Sequence, residues 1–224
     1  MRDTARVKVI LFGATGMVGQ GVLRECLNAD DVEAVLAIGR TPTGITHAKL
    51  RDLVHADLTD TSSIENELAG YDACFFCLGV SAAGMTEAEY TRITYDVTLA
   101  AAGVLARLSP QSTFIYVSGS GTDSTEKKSG MWARVKGRTE NALFKLPLKA
   151  VMFRPGLIRP LHGIRSKTRL YRISYMILWP LFPLLGAFGA LTTTERVGKA
   201  MLRVAREGAP KPFLSNRDID ALAG

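Results

Sequence analysis

The chain is poor in cysteine. Only Cys26, Cys74 and Cys77 occur in 224 residues, an odd and small set that excludes a disulfide framework. Cys74 and Cys77 form a C-x-x-C, a spacing that serves redox or metal chemistry when it lies in a loop. Here the pair flanks Phe75 and Phe76 within an apolar run from Ala73 to Leu78. Such a run reads as a buried strand whose cysteines pack as small hydrophobes, so no metal site is expected. No basic run interleaved with stacking aromatics is present, which excludes the usual nucleic-acid footprint despite a net charge of +7. No internal repeat and no linker appear, and 47% hydrophobic with 22% charged residues excludes a disordered chain. The polar stretch Met1–Arg6 leads straight into an apolar strand and is not a secretory leader, so a reducing cytoplasm is the expected setting. At this length one sizeable core is expected, a single domain over residues 1–224.

What the sequence does contain is an alternation of strand-like and helix-like runs. Val7–Phe12 is short and wholly apolar, the pattern of a strand covered on both faces. A helix is expected over Met17–Asn28, a second strand over Val32–Ile38, a weak third over Asp52–His55 and a short helix over Ser62–Ala69. A fourth strand follows at Ala73–Leu78, then a long helix from Thr86 to Leu108. A fifth strand at Thr113–Val117, a helix over Val135–Leu146 and a sixth strand at Lys149–Phe153 complete the series. The alternation predicts parallel βαβ units and a doubly wound α/β sheet of strand order 3-2-1-4-5-6, the Rossmann arrangement. Near the end, Thr192 and Glu195 have capping-box spacing for an amphipathic helix bearing Val197, Ala200, Met201, Val204 and Ala205.

Between the first strand and first helix stands Gly13-Ala14-Thr15-Gly16-Met17-Val18-Gly19. Glycine at 13 permits a tight turn, at 16 a close backbone approach to a diphosphate, and at 19 tight helix–sheet packing. The helix N-terminus then offers N–H groups and partial positive charge to an anion, so Thr15, Met17 and Val18 join the glycines as candidate cofactor contacts. The second strand ends in Ile38-Gly39-Arg40, where a carboxylate would grip ribose hydroxyls and favour NAD. Arginine offers instead a planar charged fork for a 2′-phosphate, so the expected cofactor is NADPH. Asp57, followed by Leu58, either accepts from the adenine amine or caps a turn.

Together these residues resemble the atypical short-chain dehydrogenase/reductases, in particular the Tat-interacting-protein-like and NmrA-like oxidoreductases. The resemblance runs from about Val7 to Val204. Beyond the glycine loop it rests on Asp57-Leu58, both candidate cofactor contacts, and on Cys77-Leu78-Gly79, Tyr116-Val117-Ser118-Gly119-Ser120, Arg134-Val135-Lys136-Gly137 and Arg154-Pro155-Gly156. It implies a serine, tyrosine and lysine as the catalytic set, with Ser120 (or Ser118) as the serine and Lys136 as the lysine, the latter also holding the nicotinamide ribose. It further implies Leu78, Gly79, Ser118 and Pro155 beside the cofactor. The tyrosine should stand four residues before the lysine, and Trp132 stands there instead. An indole N–H donates a hydrogen bond but does not ionise in the accessible range. Either Tyr90, Tyr95 or Tyr171 reaches the site from elsewhere, or the proton comes from another source. The remaining alternative is that the chain binds NADPH without turnover, as a regulatory or assembly protein.

Residues 157–191 are expected to form a substrate lobe. Within them Ile173–Leu191 is nearly all apolar but broken by Pro180, Pro183, Gly186 and Gly189. A lid, a homodimer surface and a peripheral membrane contact are the readings left open, the lid placing Trp179, Phe182 and Phe188 around a small apolar substrate.

Overall fold

A strand that is apolar at every position needs cover on both sides, and β1 (Val7–Phe12) obtains it. The computed structural model, which describes residues 6–127, 130–164 and 190–224, places β1 in the interior of a seven-stranded parallel sheet. The order is β3 (Leu50–Val54), β2 (Val32–Gly39), β1, β4 (Ala73–Phe76), β5 (Thr113–Val117), β6 (Lys149–Phe153) and β9 (Phe213–Leu214). Side chains alternate across the pleat. Val9 and Leu11 enter one core with Val22 and Cys26 of α1 (Met17–Asn28). Ile10 and Phe12 enter the other with Ala101 and Leu105 of α3 (Val97–Leu108) and Leu143 of α4 (Met131–Leu143).

The expected strand order is borne out and extended by one edge strand. The C-terminal helix α5 (Thr194–Glu207) packs on α1, burying Val197, Met201 and Val204 completely. Full burial of a side chain of this size contributes roughly 1.5–3 kcal/mol. The axes come close because Gly198 has no side chain: a Cβ there would meet the Cα of Val22 at 3.2 Å. After α5 the chain pairs β9 with β6 and ends in α6 (Asn216–Ala223). A second, two-stranded sheet joins β7 (Leu157–Arg159) to β8 (Leu191–Thr193).

Several expected boundaries move for local reasons. The third strand begins at Leu50, earlier than the expected Asp52, because it pairs with β2 from Val35 onward. The fourth strand ends at Phe76: Cys77 still donates to the Phe12 carbonyl at 3.0 Å, but the chain then turns against the glycine loop. The segment Ser62–Leu68 is 3₁₀ rather than α-helical. The expected long helix is α2 (Glu87–Thr91), a π turn (Arg92–Asp96) and α3 in succession, opened by a capping box between Thr86 and Glu89. Helix α4 starts at Met131, not Val135, because extended Gly130 caps a first turn whose exposed Trp132 hides the apolar periodicity. The capping residue of α5 is Thr193 rather than Thr192: Thr193 accepts from the Arg196 N–H at 3.1 Å, while the hydroxyl of Thr192 donates to Asp220 at 2.5 Å. Residues 165–189, including Tyr171, Trp179, Phe182 and Phe188, lie outside the described residues. Among the described residues no helix is long and apolar enough to cross a membrane.

Candidate functional site

The C-terminal edge of a doubly wound sheet is where its loops diverge, between β1 and β4 in this order. There the glycine loop makes its turn. Gly13 has φ +80°, and a Cβ on it would lie 2.6 Å from the Leu78 nitrogen. A Cβ on Gly19 would lie 2.0 Å from the Gly13 carbonyl oxygen, so the first helical turn is pressed onto the loop. Gly16 caps α1 without a side-chain hydrogen bond, and the first turn carries no acidic residue. The N–H groups of Met17 and Val18 are therefore left for an anion. Thr15 closes the loop by accepting from the Gln20 amide at 3.1 Å.

Arg40 stands just past β2, exposed and in no ion pair among the described residues. A cradle that side chains would fill and open N–H groups at a helix N-terminus fit the diphosphate of a dinucleotide. Leu58 is buried in the core. Asp57 accepts from the N–H and hydroxyl of Thr59 at 3.0 and 2.6 Å, which hold its carboxyl below the usual carboxylate range. One of its oxygens thus caps a turn, and the other lies 4.0 Å from Arg92.

A cleft of about 830 Å³ lies over the ends of β5 and β6, and its wall at Val80 stands two residues past Leu78, whose nitrogen faces Gly13. Ser118, Ser120, Trp132, Lys136 and Pro155 all line it, so residues far apart in sequence meet. Gly79 is open on its Cβ side, beside the cleft-lining Val80. Ser118 is buried, with its N–H and hydroxyl both given to the Phe153 carbonyl at 2.9 and 3.3 Å. Ser120 donates its N–H to Pro155 at 2.7 Å, and its hydroxyl has no partner among the described residues. The geometry favours Ser120 over Ser118 as the serine that meets a ligand.

Lys136 extends Nζ to the Val117 carbonyl at 3.3 Å and lies 5.6 Å from the ring centroid of Tyr116. Burial lowers its pKa to about 8, with the Glu140 carboxylate opposing the shift. The sign of the stability effect follows. Between about 8 and the ordinary 10.5 the unfolded chain binds the extra proton, so stability rises with pH across that window. Lys136→Met, which removes the penalty, is expected to melt higher than the native protein at pH 7, with the gain shrinking towards pH 10.5. Thermal melts at both pH values check this; a lower melting temperature at pH 7 would refute it.

Of the tyrosines considered as replacements, Tyr90 lines the cleft and is 2% exposed. Tyr95 stacks instead against the Arg138 guanidinium at 4.6 Å. Tyr116 is buried, which drives its phenol far above the ordinary range. Trp132, 39% exposed, lies one helical turn before Lys136, its ring edge over Gly121.

Two groups escaped sequence reasoning. Glu140, wholly buried, is bound by Arg154 through Nε at 2.9 Å and through Nη2, and Ser124 also reaches it at 3.4 Å. Its spacing of four from Lys136 was a readable signal. Asn216, at the start of α6, reaches the cleft from the C-terminal segment. The spacing Ser215-x-x-Asp218 would have announced that helix, whose capping box forms.

The sheet order and the cradle at its edge define a Rossmann-type, dinucleotide-binding α/β protein. More particularly, the chain belongs to the NAD(P)H-binding family, whose model matches residues 13–160, from the first loop glycine to just past β7. The expected family resemblance holds in sequence as well. Protein FMP52-1, mitochondrial, of Scheffersomyces stipitis is 24% identical over 155 residues, 68% of this chain and 67% of that protein. Protein HTATIP2 of Rattus norvegicus is 26% identical over 154 residues, 67% of this chain and 62% of its own length. The matches thus span about two thirds of these relatives. Among solved structures, the Bordetella bronchiseptica enzyme WbmF in complex with NAD+ superposes with a TM-score of 0.70 at 15% identity, covering 98% of this chain and 77% of that one. A mutated uronate dehydrogenase gives 0.66 at 13% identity, covering 93% and 73%. These two likenesses concern the fold.

Proposed function

We propose that the protein is an NADPH-dependent oxidoreductase of the atypical short-chain dehydrogenase/reductase type, reducing the carbonyl of a small apolar substrate. The observation that carries this reading is the meeting in one cleft of Lys136 and the Ser120 hydroxyl, which has no partner among the described residues. Met17 and Val18 N–H groups would hold the diphosphate, and Arg40 the 2′-phosphate. When bound, the reduced nicotinamide supplies the hydride. Ser120 donates its hydroxyl to the substrate carbonyl oxygen, orienting it. The Lys136 ammonium, with a pKa of about 8, is matched to give that oxygen a proton and to recover one from water. Val80, Ala82, Ala83 and Leu157 give the cleft apolar walls suited to such a substrate.

A second reading has its own observation. Trp132 occupies the position of the tyrosine in the resembling enzymes and has no titratable proton. On that reading the protein binds NADPH as a regulatory or assembly factor. The test has two arms. Calorimetric titration should give tighter binding of NADPH than of NADH, and no binding of either would sink both readings. NADPH consumption should then be followed with a panel of small aldehydes and ketones. Turnover by the native chain supports Lys136 as the acid. Turnover only after Trp132→Tyr supports the non-catalytic reading.

A further inference from the structure

Asn216 is 6% exposed, and among the described residues only one end of its amide has a partner. Its Oδ1 accepts from the Gly156 N–H at 3.0 Å, and that bond fixes the orientation of the group. Its Nδ2 donates to nothing among the described residues, although the side chain forms part of the cleft wall. Nδ2 is not among the fully buried unpartnered atoms, so it is open to the cleft, where an acceptor on a ligand can take the place of water. The neighbourhood narrows the acceptor. A Cβ on Gly156 would lie 3.4 Å from Nδ2 and 3.9 Å from the Ser120 Cβ, so the free donor sits beside the proposed reaction centre. It stands past β6, with the glycine cradle at the opposite end of the row, past β1. A dinucleotide whose diphosphate rests on the cradle and whose other end runs over β4, β5 and β6 brings its nicotinamide to this place. The hydrogen-bonding group on that ring is a carboxamide.

The geometry points to Asn216 Nδ2 as the donor that holds the carbonyl oxygen of the nicotinamide carboxamide, fixing the rotation of the ring over Ser120 and Lys136. This inference rests on the dinucleotide reading above and adds a positioning residue from the C-terminal helix. The link is economical: Oδ1 anchors α6 to the turn after β6 while Nδ2 grips the ligand, so docking of the C-terminal segment completes the pocket.

The test uses two probes that share every feature but the nicotinamide: NADP+ and 2′-phospho-ADP-ribose, each titrated calorimetrically. Asn216→Asp keeps the size and the acceptor for Gly156 but replaces the donor with a carboxylate; Asn216→Ala removes both. Asn216→Asp is expected to weaken NADP+ at least about tenfold and to leave 2′-phospho-ADP-ribose within about twofold, from the value of one buried hydrogen bond. Asn216→Ala should weaken NADP+ roughly fivefold with the same selectivity. Thermal melts confirm that the variants are folded, and the aspartate variant carries the test if the alanine variant is not. Equal weakening of both probes would assign Asn216 a merely structural role and overturn the inference. Unchanged NADP+ affinity would overturn it too, leaving the donor to the substrate. If the native chain binds neither probe, it is the dinucleotide reading that fails.

Discussion

Arg154→Met is expected to cost about 3–5 kcal/mol of folding stability, because it leaves the Glu140 carboxylate buried without its cation. The Glu140 side chain is 0% exposed and Arg154 supplies both of its guanidinium contacts. Ser124, 3.4 Å away, is a weak replacement. For a chain of this size that loss corresponds to a fall in melting temperature of roughly 6–20 °C. The reverse change is milder. In Glu140→Gln the Arg154 side chain, 25% exposed, can be hydrated and keeps its place over the Phe213 ring at 4.2 Å. Replacing both partners together, Arg154→Met with Glu140→Leu, should recover much of the loss, since apolar isosteres of a buried pair are often neutral or stabilising. Urea denaturation of the three variants checks the pattern. An Arg154→Met protein within about 1 kcal/mol of the native chain would show that water already reaches Glu140, a value far below the cost of a stranded buried charge.

The second large effect concerns the cofactor rather than the fold. Arg40→Ala should weaken NADPH about 10–100-fold while NADH changes by no more than about twofold, the worth of a charge-assisted contact to a phosphate. Arg40 is exposed and lies outside every ion pair among the described residues, so its removal leaves the fold undisturbed. Raising the salt should erode the same selectivity, because the guanidinium is screened where it meets solvent. Equal losses for both nucleotides would mean that position 40 touches the shared adenosine and not the extra phosphate.

The parallel sheet was legible because each interior strand announces itself: Val7–Phe12 and Ala73–Phe76 are apolar without interruption, and only burial on both faces allows that. The glycine cradle was legible because Gly13 and Gly19 answer a local steric demand, visible in the contacts a Cβ would make. Harder to read were the ends of elements. Helix α4 opens on a glycine cap with no side-chain signal, and α5 takes Thr193 as its cap because Thr192 is spent on Asp220. The two-residue β9 carries no periodicity at all, since its pairing with β6 is supplied by the rest of the sheet.

Local chemistry along the chain determines the doubly wound topology, the anion cradle, the arginine after β2 and the absence of a phenol four residues before Lys136. Each depends on residue type and short-range spacing, which a linear chain displays in full. Tertiary structure alone decides that Ser118 spends its hydroxyl on Phe153 while that of Ser120 has no partner among the described residues, and that Tyr90 reaches the cleft where Tyr95 does not. It alone brings Asn216 back to Gly156, 60 positions away, and closes Arg154 onto Glu140. Hydrogen-bond satisfaction and burial are properties of what packs around a group, and those neighbours are chosen only when the chain folds.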